Sequence, residues 1–176
     1  MEEILRKKIE AAPKIGLTLF VCSPDRYNET RNFILKTWME SLSKNGVYLN
    51  LNIPYENIIQ SFASSKIEHN RLFFLDIVSR NESDVDNCYF IGNDLKKLQL
   101  SFSSVLKERT PDFIIMDSLN DLFMEDENRA KKLLNEYIKK AKVNEINGIV
   151  LLKKEPLIDE ILDEHIKNFD NIIELY

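Results

Sequence analysis

Glycine is scarce in this chain. Its 176 residues include four, Gly16, Gly46, Gly92 and Gly148, where average usage of about 7% would give about a dozen. A glycine-rich phosphate loop, which needs bare backbone N–H groups, is therefore disfavoured from the outset. Cysteine is equally thin. Cys22 and Cys88 lie in apolar runs and read as buried free thiols of a reducing compartment rather than as a disulfide or a metal site. Long apolar runs are missing: Leu17 to Cys22 is six residues, against the roughly 18–20 that cross a membrane. The opening MEEILRKKIE has no apolar centre, so we expect no signal peptide and a cytoplasmic location. A basic excess is also absent. Lys and Arg number 24 against 29 Asp and Glu, a net charge of -5, which argues against nucleic acid as the partner. What is present is ordinary globular material, 44% hydrophobic and 30% charged. That is enough for one core without disulfides or metal, and we expect residues 1–176 to form one domain.

Apolar periodicity divides the chain into alternating elements. Ile4, Leu5, Ile9 and Ala12 predict an amphipathic leader helix over 2–11 that stops at Pro13. Residues 16–22 (GLTLFVC) have the length and β-branching of a buried strand. The polar SPDRYNET follows, then a helix over 29–44 with Phe33, Ile34, Thr37, Trp38 and Leu42 on one face and Asn45-Gly46 at its end. Strands are predicted at 47–51, 72–78, 88–91, 113–117, 148–152 and 171–175, and helices over 54–65, from a cap at Asp94, over 127–142 and over 157–168. Strands alternating with helices of this length specify an α/β fold. We expect a three-layer α/β/α sandwich around a mainly parallel sheet.

In such sheets ligands bind beyond the carboxyl ends of the strands, so the residues just after each strand carry the functional information. After the first strand stands Ser23-Pro24-Asp25-Arg26-Tyr27-Asn28-Glu29-Thr30. It has the place and length of a P-loop, G-x-x-x-x-G-K-[ST], but only Thr30 matches. After FIIM comes Asp117-Ser118, a hydrophobic strand ending in Asp-Ser. With GVYLNLN at 46–52 and FDNIIEL at 169–175, the chain resembles the RecA/KaiC-like branch of the P-loop ATPases over roughly residues 15–176. The likeness is particularly to the small archaeal KaiC-like proteins with degenerate loops. The resemblance implies a RecA-like core in which the loop strand and the Asp117 strand are separated by another strand. It also implies a vestigial nucleotide site at Ser23, Glu29, Thr30, Asp117 and Ser118, and Asp170 in place of the family's Asp before the last strand.

The departures point away from ATP chemistry. A P-loop works because its lysine and backbone N–H groups surround phosphate. Glu29 puts a negative charge where that lysine would stand, and two like charges about 4 Å apart cost roughly 4 kcal/mol at an effective dielectric of 20. RecA-like ATPases also carry a glutamate after the second strand. Here the stretch reads Asn50-Leu51-Asn52, and an amide is no general base. Glu56 reads as a solvated residue of a first helical turn. Asp117 alone remains, and a carboxylate closing the turn after its strand is the simpler role for it.

Other candidates are weaker. His69 and His165 have no convergent partners for a metal and read as solvated or rim histidines. Asp159, Glu160, Asp163 and Glu164 form an acidic helix face, and Lys131, Lys132, Lys139, Lys140 and Lys142 a basic one with Glu127 and Glu136 interspersed. Both read as solvated surface. The resulting expectation is a catalytically inactive RecA/KaiC-like domain with no catalytic residues and no bound metal or cofactor, a regulatory or scaffold module acting through protein contacts or self-association. The alternatives are a sensor that binds ATP or ADP with Mg²⁺ without hydrolysis, and a small-molecule enzyme on another doubly wound sheet.

Overall fold

The computed structural model describes residues 2–10, 16–79, 83–156 and 165–175. Seven strands, β1 (Leu17–Cys22), β2 (Gly46–Asn50), β3 (Leu72–Asp76), β4 (Cys88–Phe90), β5 (Phe113–Asp117), β6 (Asn147–Lys153) and β7 (Asn171–Leu175), form one sheet. Its order is β4-β3-β2-β5-β6-β1-β7, and all six pairings are parallel. β6 lies between β1 and β5, the arrangement that the RecA-like resemblance requires.

Among the described residues, six helices cover the sheet: α1 (Glu2–Glu10), α2 (Tyr27–Lys36), α3 (Tyr55–Ser64), α4 (Leu95–Arg109), α5 (Leu119–Glu125) and α6 (Glu127–Val143). Successive residues of a strand point to opposite faces, so each face has its own core. Leu17, Leu19 and Val21 of β1 pack with α4, α5 and α6 on one side. Phe20 and Cys22 pack on the other side with α2, α3 and Ile9 of α1. Burial on both faces is why β1 reads as a continuous apolar run rather than an alternating one.

Helix α6 shows how a face is fixed. Ala130, Leu133, Leu134, Tyr137, Ile138 and Ala141 are buried at three- and four-residue spacing. The Tyr137 hydroxyl then anchors the helix to the sheet. It accepts the Ile149 N–H at 2.8 Å and lies within hydrogen-bond distance of the Ile114 and Ile149 carbonyls, at 2.8 and 2.7 Å.

Several sequence expectations need correction. The helix after the first strand opens earlier than residue 29, with a single turn at Pro24–Arg26 running into α2. It then widens over Thr37–Ser41, where the Leu42 N–H reaches back five residues to the Thr37 carbonyl. The widening rotates Leu42 out of the apolar face, and it is exposed. Gly46 is the first residue of β2 rather than a helix cap. The left-handed residue at that helix end is Ser43, at φ 53°. Strand β3 stops at Asp76, because the Asp76 carboxylate accepts from Val78 N–H at 2.7 Å and Ser79 N–H at 3.0 Å and turns the chain. Helix α5 was not anticipated. Of the expected helix over 157–168, residues 157–164 lie outside the described residues, and Ile166–Asn168 forms one helical turn. Pro13 and Ala12 also lie outside them. His165 is buried rather than solvated.

Other expectations hold. Asp94 caps α4, accepting from Lys96 N–H at 2.8 Å and Lys97 N–H at 3.1 Å. Gly92 closes β4 in the left-handed region at φ 65°.

Candidate functional site

Three strands end on polar side chains in register. Asn50 pairs with Asp76 of β3 on one side and with Asp117 of β5 on the other. All three are fully buried at the carboxyl end of the sheet, on the face that α2 and α3 cover. Their partners differ. Asp76 is satisfied by structure: besides the turn N–H groups it accepts from the Ser79 hydroxyl and from Tyr55 N–H at 2.9 Å, at the first residue of α3. Asn50 donates to the Ile53 carbonyl, while its own side-chain oxygen is buried without a partner.

Asp117 sits at the centre of a cluster. Its Oδ1 accepts from the Tyr27 hydroxyl and its Oδ2 from the Tyr48 hydroxyl. Arg31 Nη1 lies 3.6 Å from the same Oδ2. Tyr27 and Arg31 are four residues apart on α2, so one helix face presents both to the strand end. Tyr48 comes up from within β2. Arg31 is held in turn by Ser61 Oγ at 3.0 Å and Asn32 Oδ1 at 3.2 Å, and its guanidinium lies 5.5 Å from the centre of the Phe62 ring.

The electrostatics follow from burial. Burial pushes the Tyr27 and Tyr48 hydroxyls well above their ordinary range, and the negative charge of Asp117 adds to it. Both are therefore neutral donors at physiological pH. Burial alone would lower the Arg31 guanidinium, but the charge of its surroundings, the Asp117 carboxylate among them, more than offsets that and holds it above its ordinary value. The cluster is thus one carboxylate, one guanidinium and two neutral hydroxyls. To hold a divalent cation, Asp117 would have to exchange donors it already has and place the cation beside Arg31.

The five residues expected to form a vestigial nucleotide site are only partly brought together. Asp117 and Ser118 are adjacent and fully buried. Ser118 Oγ accepts from Asn52 Nδ2 at 3.4 Å. Thr30 is buried, but it meets Cys22, whose thiol is pushed up to about 11 by burial despite that hydrogen bond. Ser23 is half-buried, with its N–H on the Leu175 carbonyl at 3.1 Å. Glu29 is exposed on α2. No residue from 23 to 30 has a positive φ, so this helical segment has no alternation of right- and left-handed residues that could form an anion nest. Asp170 is at the other end of the sheet. It accepts Leu17 N–H at 2.7 Å and returns its own N–H to the Leu17 carbonyl at 2.9 Å, tying β7 to β1.

Sequence reasoning missed Arg31 and Tyr48 and gave Tyr27 no role beyond a position that does not match a P-loop. The one available signal was the four-residue spacing of Tyr27 and Arg31 directly after a strand. Glu56 is exposed in the first turn of α3, as read. Among the described residues, no three His, Cys, Asp or Glu side chains converge as metal ligands, and no helix is long and apolar enough to cross a membrane.

No family model matches the chain, and no curated protein matches it by sequence. Among solved structures, the crystal structure of a KaiC-like protein from the hyperthermophilic archaeon Pyrococcus horikoshii is similar, with a TM-score of 0.62 and 12% sequence identity. The match covers 79% of this chain and 63% of that one, so this chain spans less than two thirds of its neighbour's length. At this identity the likeness shows the fold: an α/β sandwich of the RecA/KaiC-like type.

Proposed function

We propose that this chain is a RecA/KaiC-like domain that does not hydrolyse ATP and acts as a regulatory or scaffold module through protein contacts. One observation carries the reading: the strand-end aspartate that would serve magnesium is sealed from solvent and bound by Tyr27, Tyr48 and Arg31. Two further features support it. The segment after β1 is helical from Pro24 onward, so few N–H groups are free to face phosphate. Leu100, Met124 and Val143 are exposed on α4, α5 and α6, the three helices of one layer, and offer apolar positions for a protein partner or a second copy.

Calorimetry of the purified chain with Mg-ATP and Mg-ADP tests this, together with an assay for released phosphate. The expected result is no saturable heat at millimolar nucleotide and no turnover. Binding tighter than about 100 μM, which is more than 5 kcal/mol of affinity, would overturn the reading in favour of a nucleotide sensor. Turnover would overturn it in favour of an ATPase.

A further inference from the structure

A second feature at the carboxyl end of the sheet is separate from the Asp117 cluster. The chain leaves β2 for β3 through α3 on one face, and leaves β5 for β6 through α6 on the other. Adjacent strands whose connections depart in opposite directions leave a crevice beyond their ends, the usual ligand position in open α/β sheets. Here that crevice is an open cleft of about 590 Å³, inside the roughly 300–1,000 Å³ range of small-molecule sites. Segments that follow β2, β3, β4 and β5 line it, with Leu51, Ile77 and Leu122 as apolar lining.

Two of the lining side chains have unmet hydrogen-bonding needs. Arg129, in the first turn of α6, has its Nε–H shielded from solvent with no acceptor, and it forms no ion pair among the described residues. Asn52 spends its Nδ2 on Ser118, and its Oδ1 is shielded with no donor. Leaving such groups unmet costs free energy in the empty protein, and a ligand that supplies partners recovers it. The Arg129 donor calls for an anionic oxygen. The Asn52 acceptor calls for an N–H or O–H. Asp121 and Glu125, exposed on the same cleft, repel a polyanion and favour a cationic donor.

We infer that this cleft binds a small zwitterion of the free amino acid class, with its carboxylate on Arg129 and its ammonium group toward Asn52 Oδ1, Asp121 and Glu125. Such a ligand offers an acceptor to Arg129 and a donor to Asn52, and sets unlike charges against Arg129 and against Asp121 and Glu125. A nucleoside triphosphate would bring several negative charges against two carboxylates.

The test is a series of amide ¹H–¹⁵N spectra of the full chain, with each proteinogenic amino acid added in turn at about 10 mM, well above a millimolar Kd. At least one is expected to shift the amides of Asn52, Ser79, Gly92, Asp121 and Glu125 saturably. Arg129→Gln should weaken that binding by roughly tenfold or more, while Lys132→Gln on the exposed side of α6 should not. Succinate, which has the carboxylates without the amine, is the probe that does not depend on a variant folding. It should leave these amides unmoved. The inference falls if no amino acid shifts them, if Arg129→Gln leaves the binding intact, if succinate binds as well, or if ATP shifts the same amides.

Discussion

Arg31 and Asp117 form an ion pair at 3.6 Å whose two side chains are 1% and 0% exposed. The pair ties α2, which follows β1, to the end of β5 two strands away. A buried charge left alone by removal of its partner costs about 3–5 kcal/mol. Arg31→Met should therefore destabilise the chain by about that much in urea unfolding. Arg31→Met with Asp117→Leu should cost clearly less than the two single changes added together. Full additivity would mean that the two groups do not interact.

Tyr27→Phe and Tyr48→Phe each remove one hydroxyl donor from a buried carboxylate. Each should cost about 1.5–3 kcal/mol, the range for hydrogen bonds to charged groups. A loss below about 0.5 kcal/mol would show that water replaces the hydroxyl.

The raised tyrosines give the stability a pH dependence. Tyr27, Tyr48 and Tyr137 are all pushed well above the ordinary value, first by burial. The folded chain therefore keeps these protons after the unfolded chain has begun to lose them. Their contribution is complete below about pH 9 and declines above about pH 10, by roughly 1.4 kcal/mol per pH unit for each tyrosine. Absorbance at alkaline pH should show these three of the six tyrosines ionising only as the chain unfolds. Smooth titration of all six with the fold intact would contradict the cluster.

Both thiols should be silent in the native state. Burial pushes Cys22 up to about 11 and raises Cys88 further, and a thiolate is the reactive form. An aromatic disulfide reagent at about pH 8 should label neither cysteine in the folded chain and both after unfolding. Rapid labelling of the native protein would show that one strand end opens.

A lysine at position 29 should not confer nucleotide binding. Glu29 is exposed on α2, and Tyr27 and Arg31 hold the aspartate whatever stands at position 29. Glu29→Lys is expected to give no heat with Mg-ATP in calorimetry. Saturable binding by that variant would mean that charge, rather than helical backbone and a sealed aspartate, is the obstacle.

Much of this was legible in the sequence. The order of strands and helices, the buried character of β1 and the caps at Asp94 and Gly92 follow from periodicity and from single residues with special geometry. These are local properties, and a window of a few turns contains them. Helix α5 escaped because seven residues hold too few repeats for a period to stand out. The outward turn of Leu42 escaped because a widened helical turn breaks the 3.6-residue rule on which its placement rested.

The alternation of elements and the low glycine content were decided by the sequence alone, and they account for the α/β sandwich and for a segment from 23 to 30 without a left-handed residue. What surrounds Asp117 was decided only in three dimensions. Its hydroxyl donors are 90 and 69 residues away in the chain, and the cleft at Arg129 draws on segments after four different strands. In a parallel sheet each strand's neighbours are set by crossovers of many residues. Which side chains meet at its carboxyl end therefore depends on strand order, and no local pattern of residues records that order.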